Sequence, residues 1–146
     1  MTATPVPHGY HNVTPTLCVQ GAAKLIEFLK EVFQAEEIER YLGPNGEIMH
    51  AELRIGDSII MVGEPFLGTM PASLYVYVGD VDAAYGRALR AGATSLAEPE
   101  DQFHGARTAR VKDPFGNVWA IATQIEDVSR EEARRRFDAL MNPGGG

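Results

Sequence analysis

Cysteine occurs once in the 146 residues, at Cys18, so the chain holds neither an internal disulfide nor a multi-cysteine zinc or iron–sulfur site. A solitary cysteine most often packs as a small apolar side chain. Basic residues are scarce too: 13 Lys and Arg face 20 Asp and Glu, a formal net charge of −7. Binding to nucleic acid needs a cationic surface to displace counterions from phosphates, and this balance argues against it. A cationic small molecule stays possible as a ligand. No apolar run reaches the roughly 18 residues of a membrane span. The stretch from Met1 to His11 lacks the basic and apolar regions of a secretory signal. A cytoplasmic protein with no membrane or nucleic-acid partner is expected. Two catalytic signatures are also missing, the Gly-x-Ser-x-Gly nucleophile elbow and the phosphate-binding loop. Apolar residues make up 45% of the chain, enough for one good core or two small half-cores.

The pattern along the chain is written twice. Residues 14–19, Thr-Pro-Thr-Leu-Cys-Val, read as a strand, and Gly21 opens a helix whose Leu25, Phe28, Leu29 and Val32 form one apolar stripe. Strands are expected over 37–42, 47–55 and 58–62, separated by the turn formers Pro44-Asn45-Gly46 and Gly56-Asp57. After a linker over 64–72, rich in Pro and Gly, the order repeats: strand 73–78, helix 81–91, and strands 93–97, 107–112 and 117–123. Val19 matches Val78 at an offset of 59, and Gly56 matches Gly116 at an offset of 60. Agreement over whole elements predicts a tandem β-α-β-β-β unit. Module one spans about 12–63 and module two 73–125 of one domain covering 1–146, and a final helix covers about 129–141. Ser129 with Glu132 forms a capping box for that helix, and Glu131 with Arg135 and Glu132 with Arg136 stand at i,i+4. The Arg134-Arg135-Arg136 run reads as a solvated helix face or a polyanion site. The tail 142–146 is expected to fray.

This layout, with Asp113-Pro114-Phe115-Gly116-Asn117 before the last strand, resembles the vicinal oxygen chelate superfamily. That superfamily includes glyoxalase I, extradiol dioxygenases, fosfomycin-resistance enzymes and bleomycin-binding proteins. Within it the chain is most similar to the PhnB-like branch, through Gly21-Ala22-Ala23, Met49-His50-Ala51-Glu52-Leu53, Gly56-Asp57-Ser58, Ile121-Ala122-Thr123 and Glu126-Asp127-Val128-Ser129. The resemblance implies an α+β fold: a curved eight-stranded sheet, helices on its convex side, and a ligand cavity on its concave side. It also implies a homodimer, since relatives commonly pair and sometimes complete the cavity from two chains.

Strand alternation sorts the side chains. Pro15, Leu17 and Val19 should face the helix and Thr14, Thr16 and Cys18 the cavity. In the third strand His50, Glu52 and Arg54 point inward; in the fifth, Ser73, Tyr75 and Tyr77; in the last, Val118, Ala120 and Ala122. The positions at which metal-using relatives hold divalent ions correspond to Thr14, Ile60, Ser73 and Ala120, none of which supplies an imidazole or carboxylate. No metal and no other cofactor is therefore expected. His50 and Glu52 share a strand face, and His104 in a later loop is the residue able to join them in a different metal site. Glu52 needs a partner if buried, with Arg54, Arg110 and His50 available. Tyr75 and Tyr77 can stack on a planar ligand or serve as ordinary sheet packing. The rim segment Phe103-His104-Gly105-Ala106-Arg107 carries a cation, Arg107, suited to an anionic ligand or to pairing with Asp113. The expected function is metal-independent binding or sequestration of an aromatic or cationic small molecule. Its expected contacts are Thr14, Thr16, Cys18, His50, Glu52, Ile60, Ser73, Tyr75, Tyr77, Phe103, His104, Arg110 and Ala120. The rival is a glyoxalase-type lyase, isomerase or dioxygenase, with His50 or Glu52 as acid–base catalyst or with a noncognate metal.

Overall fold

The structure is a computed structural model that describes residues 4–65 and 68–144. Phe66 and Leu67 of the expected linker, and Gly145 and Gly146 of the expected frayed tail, lie outside the described residues. Module one consists of β1 (Thr16–Cys18), α1 (Ala22–Phe33), β2 (Glu36–Leu42), β3 (Ile48–Ile55) and β4 (Ser58–Gly63). Module two consists of β5 (Ser73–Tyr77), α2 (Val81–Arg90), β6 (Thr94–Asp101), β7 (Ala106–Lys112) and β8 (Val118–Gln124), and α3 (Arg130–Met141) follows. The tandem β-α-β-β-β order is present, with β6 running past Ala97 to Asp101. The eight strands divide into two four-stranded sheets, ordered β1-β4-β3-β2 and β5-β8-β7-β6. In each, the first strand of the module lies parallel to its last, and the other pairings are antiparallel.

Local chemistry explains the helix ends. Gly21 takes a left-handed φ of 83° before α1, and the carboxylate of Glu64 accepts from the amides of Gly21 and Ala22 at 3.2 and 3.0 Å. The chain leaving β4 thus caps the helix that precedes it, placing negative charge at its positive end. Asp80 caps α2 through the amide of Ala83 at 3.1 Å, and Ser129 caps α3 through that of Glu132 at 3.1 Å. Of the two expected pairs on α3, Glu132–Arg136 forms at 3.0 Å, whereas Arg135 turns to Glu132 instead of Glu131. No helix among the described residues is long and apolar enough to cross a membrane.

The apolar stripe of α1 and the helix-facing positions of β1, β3 and β4 are buried together with Val81, Ala84 and Ala88 of α2 in one core that joins the modules. Each Leu, Ile or Val so buried contributes about 1.5–3 kcal/mol relative to exposure. Phe33 and Trp119, one from each module, pack with ring centroids 5.0 Å apart. Arg87 of α2 donates to the carbonyl of Val32 at 3.1 and 3.0 Å, tying the C-terminal end of α1 to the second helix.

The register corrects one expectation. Thr16 pairs with Met61 and Tyr75 with Ala120, so the modules superpose at an offset of 59 in both their first and last strands. The glycines suggested 60 because the β3–β4 turn holds two residues between Ile55 and Ser58, whereas five separate Lys112 from Val118. Ile60 lies opposite the core residue Leu53 and is itself buried, while Met61 lies opposite Glu52 on the other face. A one-residue slip exchanges the faces of a strand. The counterpart of Ala120 is therefore Met61, not Ile60.

Candidate functional site

Each sheet has a face turned away from the helices. On that of module two, Tyr75 lies across from Ala120, and Ala120 across from Arg110; in the next row Tyr77, Ala122 and Thr108 stand in line. Two alanines thus form a low floor between a wall of tyrosines and a wall holding Arg110 and Thr108. The phenol rings are 5.2 Å apart and tilted, and at 46% and 65% exposure they are open to contact. Burial, followed by the proximity of Tyr77, holds the Tyr75 phenol above its ordinary pKa, while Arg110 acts in the opposite direction. Tyr75, Glu98, Glu100, His104, Thr108 and Arg110 line a cleft of about 160 Å³ on this face. Ser73 begins the same strand and is exposed.

Two rim residues point elsewhere. Phe103 packs on His104 edge to face at 5.1 Å and on Phe137 of α3 at 5.6 Å, so its ring docks the last helix and is absent from the cleft lining. Arg107 binds Asp82 and Asp101 at 2.9 Å on the helix side. Its expected partner, Asp113, is occupied by the amides of Phe115 and Asn117, the Asn117 side chain and the indole of Trp119.

Module one is arranged differently. Its open face carries Thr16, Cys18, Met61, Arg54, Glu52 and His50, with Thr14 half-buried just ahead of β1. The chain before β1 turns at Pro7, where the amide of Tyr10 donates to the carbonyl of Pro7, and lies over this face. A side chain added at Gly9 would meet Arg54 and Ile59 at 4.0 Å, and Ile59 is buried although it belongs to the open side. The Tyr10 hydroxyl donates to the Glu52 carboxylate, and His50 Nε2 lies 3.7 Å from the same carboxylate. Glu52 is therefore hydrogen-bonded by Tyr10, with His50 close by; Arg54 turns to Glu36 at 3.5 Å, and Arg110 belongs to the other module. The sequence signal for Tyr10 was slight: Pro7 and Gly9 mark a turn that brings an aromatic residue back onto the sheet.

Burial and the bond to Glu52 push the Tyr10 phenol up to about 12. Because the folded state holds this proton more tightly than an unfolded chain, the stabilising contribution is complete below pH about 10 and is lost as pH climbs toward 12. Tyrosinate absorbance should show one of the five tyrosines ionising last, and that step should vanish in Tyr10→Phe. Retention of the late step in the variant would assign it to another ring.

The expected single site thus divides. Tyr75 also borders a second cleft, of about 710 Å³, at the seam of the modules, where Tyr77, Pro15, Ile60, Leu74, Val76 and Trp119 join it. Neither cleft that Tyr75 lines includes His50 or Glu52. Nor does His104 approach them, since it stands in the module-two cleft beside Glu98 and Arg110. Among the described residues no three His, Cys, Asp or Glu side chains are grouped to hold a metal ion. With the register corrected, the four positions that hold metal in relatives present Thr14, Met61, Ser73 and Ala120, a set with no carboxylate or imidazole. Such residues do not fit a divalent cation that requires nitrogen or oxygen anions.

Comparison with known proteins agrees with the geometry. The profile of the Glyoxalase/Bleomycin resistance protein/Dioxygenase superfamily matches residues 11–121. An uncharacterized protein of Mycobacterium bovis is 35% identical over 147 residues, covering 92% of this chain and 95% of that one. Among solved structures, TioX from Micromonospora sp. ML1 superposes with a TM-score of 0.67 at 28% identity, over 79% of this chain and 99% of its own. A PhnB protein from Bacillus cereus superposes with a TM-score of 0.64 at 18% identity, over 77% and 99%, a likeness of fold alone.

Proposed function

Since the chain belongs to the glyoxalase/bleomycin resistance protein/dioxygenase superfamily, we propose that it is a metal-independent, cytoplasmic small-molecule binding protein of the PhnB-like branch. Its ligand lies on the open face of module two. One observation carries this reading: two exposed phenol rings stand over the alanine floor Ala120–Ala122, facing Arg110. Flat aromatic walls bury large area with few rotamers to order, which suits retention of a planar molecule. Module one supports the reading from the other side, because Tyr10 and its turn occupy the corresponding face. The two open faces are thus unequal: the Tyr10 turn lies over the first, and two exposed tyrosines stand on the second.

A second copy of the chain completes the surroundings of the ligand. Tyr41, Leu42, Met70 and Tyr77 are exposed apolar side chains, and β1 and β5 are the end strands of their sheets, β1 carrying a single further bridge from Cys18 to Met70. A homodimer covers such surface.

The enzyme reading has its own observation, the cluster of Tyr10, Glu52 and His50. A hydroxyl, a carboxylate and an imidazole in contact are the groups of metal-free acid–base catalysis. Substrate would have to displace Tyr10 to reach Glu52.

Native mass spectrometry of protein purified without chelator tests the readings together. The expected spectrum is that of a dimer of the 15.9 kDa chain, free of stoichiometric divalent metal, with an organic adduct that Tyr75→Ala releases. Zinc, iron, nickel or manganese at one per chain, lost on His50→Ala, would overturn metal independence. A monomeric mass would remove the dimer. Turnover by metal-free protein that depends on His50 or Glu52 would establish the enzyme.

A further inference from the structure

The charges around the alanine floor specify more than an aromatic ring. Arg110 stands on β7, one strand beyond the floor, and Glu98 and Glu100 stand on β6, one strand further, all lining the same small cleft with His104 and Tyr75. No ion pair among the described residues involves Arg110, Glu98 or Glu100. Other cations of module two and the last helix behave otherwise: Arg107 and Arg136 are each committed to carboxylates. From β5 to β6 this face therefore carries exposed aromatic rings, two buried alanines, a guanidinium and two carboxylates. Adjacent strands are about 4.8 Å apart, so the row from floor to outer acids spans about 10 Å. That distance matches a planar ring followed by a short chain bearing an acid and an amine.

Resting on the small-molecule binding reading, we propose that this face takes an aromatic α-amino acid. The ring stacks on the exposed phenols of Tyr75 and Tyr77, the carboxylate meets Arg110, and the ammonium turns toward Glu98 and Glu100. Guanidinium matches a carboxylate in planar, two-point fashion, which gives direction as well as attraction. The outer acids reject a purely anionic ligand and select one whose far end is positive. Neither a simple aromatic acid nor a simple aromatic amine answers both walls.

Three indoles separate the contributions in calorimetric titrations: tryptophan, tryptamine, which lacks the carboxylate, and indole-3-propionate, which lacks the ammonium. The proposal expects tryptophan to bind at least about tenfold more tightly than either analogue. Arg110→Met should erase the advantage over tryptamine, and Glu98→Gln with Glu100→Gln should erase the advantage over indole-3-propionate. These side chains are on the surface, so the variants keep the fold, and circular dichroism verifies it. If the three compounds bind alike and all weaken in Tyr75→Ala, the amino-acid class is overturned while aromatic binding on this face survives. If none binds and an aromatic adduct from the cell is still released by Tyr75→Ala, the class falls in the same way. Failure of all three, with no Tyr75-dependent adduct, overturns the class and the binding reading together.

Discussion

Replacing Asp113 by Ala should lower unfolding free energy by roughly 3–5 kcal/mol, seen as a fall in the urea midpoint. Asp113 is 4% exposed, and its carboxylate accepts from the amides of Phe115 and Asn117, the Asn117 side chain and the Trp119 indole. Removal leaves those donors facing protein where water does not reach, and an unsatisfied buried donor costs about 1–3 kcal/mol. The loop that Asp113 organises also sets where β8 begins, because Asn117 Oδ1 accepts from the amide of Ala72 ahead of β5. Asp113→Asn should be intermediate, since an amide keeps one acceptor but turns its own donors on those already present. A midpoint unmoved by Asp113→Ala would show that the loop holds itself without this group.

The second large effect is expected at Gly105. Its φ of +96° is a conformation that side chains rarely adopt, and a Cβ there would meet the Glu126 carbonyl at 2.4 Å, Gln124 Nε2 at 2.7 Å and Val128 Cγ2 at 2.9 Å. Gly105 also accepts from the amides of Ile125 and Glu126, closing the end of β8 against the start of β7. Gly105→Ala should cost about 2–4 kcal/mol, the sum of a left-handed backbone and a backbone clash. Gly46→Ala is the control: φ is +79° but nothing lies within 4 Å, so only the conformational cost of about 1–2 kcal/mol applies. The consequence reaches function. Displacing Glu126 releases Arg136, which bonds both Glu126 and the carbonyl of Phe103, and so loosens α3 and the loop carrying His104. Amide exchange along α3 should quicken in Gly105→Ala, and unchanged exchange would separate the helix from this junction.

The fold was largely legible. The stripe Leu25, Phe28, Leu29, Val32 and the alternation of Leu17 and Val19 with Thr16 and Cys18 are properties of neighbouring residues, and all of those apolar side chains are buried. Ser129 sits where a helix start is expected, because a cap satisfies amides only two or three residues away. Legibility fails where a partner is distant or a count depends on a turn. Tyr10 meets Glu52 across 42 positions, and Arg107 meets Asp82 across 25 rather than its near neighbour Asp113. Phe103 looked like a cavity residue, yet α3 returns to cover it. Aligning the glycines matches Ile60 to Ala120, and a turn shorter by three residues moves that match to Met61, while Ile60 still lines the seam cleft with Tyr75 and Tyr77.

The candidate site shows the same division. Sequence alone determined that Tyr75 and Tyr77 share a strand face with Ser73, that His50 shares one with Glu52, and that no acid or imidazole stands at Thr14, Ser73 or Ala120. Tertiary structure decided that the clefts lined by Tyr75 leave out His50 and Glu52, that Tyr10 covers the first face, and that Arg110 stands beside the second with no ion pair among the described residues. The reason is physical. A strand repeats every two residues whatever surrounds it, so the facing of its side chains is a local property. Which donor reaches which acceptor depends on how sheets, turns and chain ends pack, and that packing is settled only when the whole core closes.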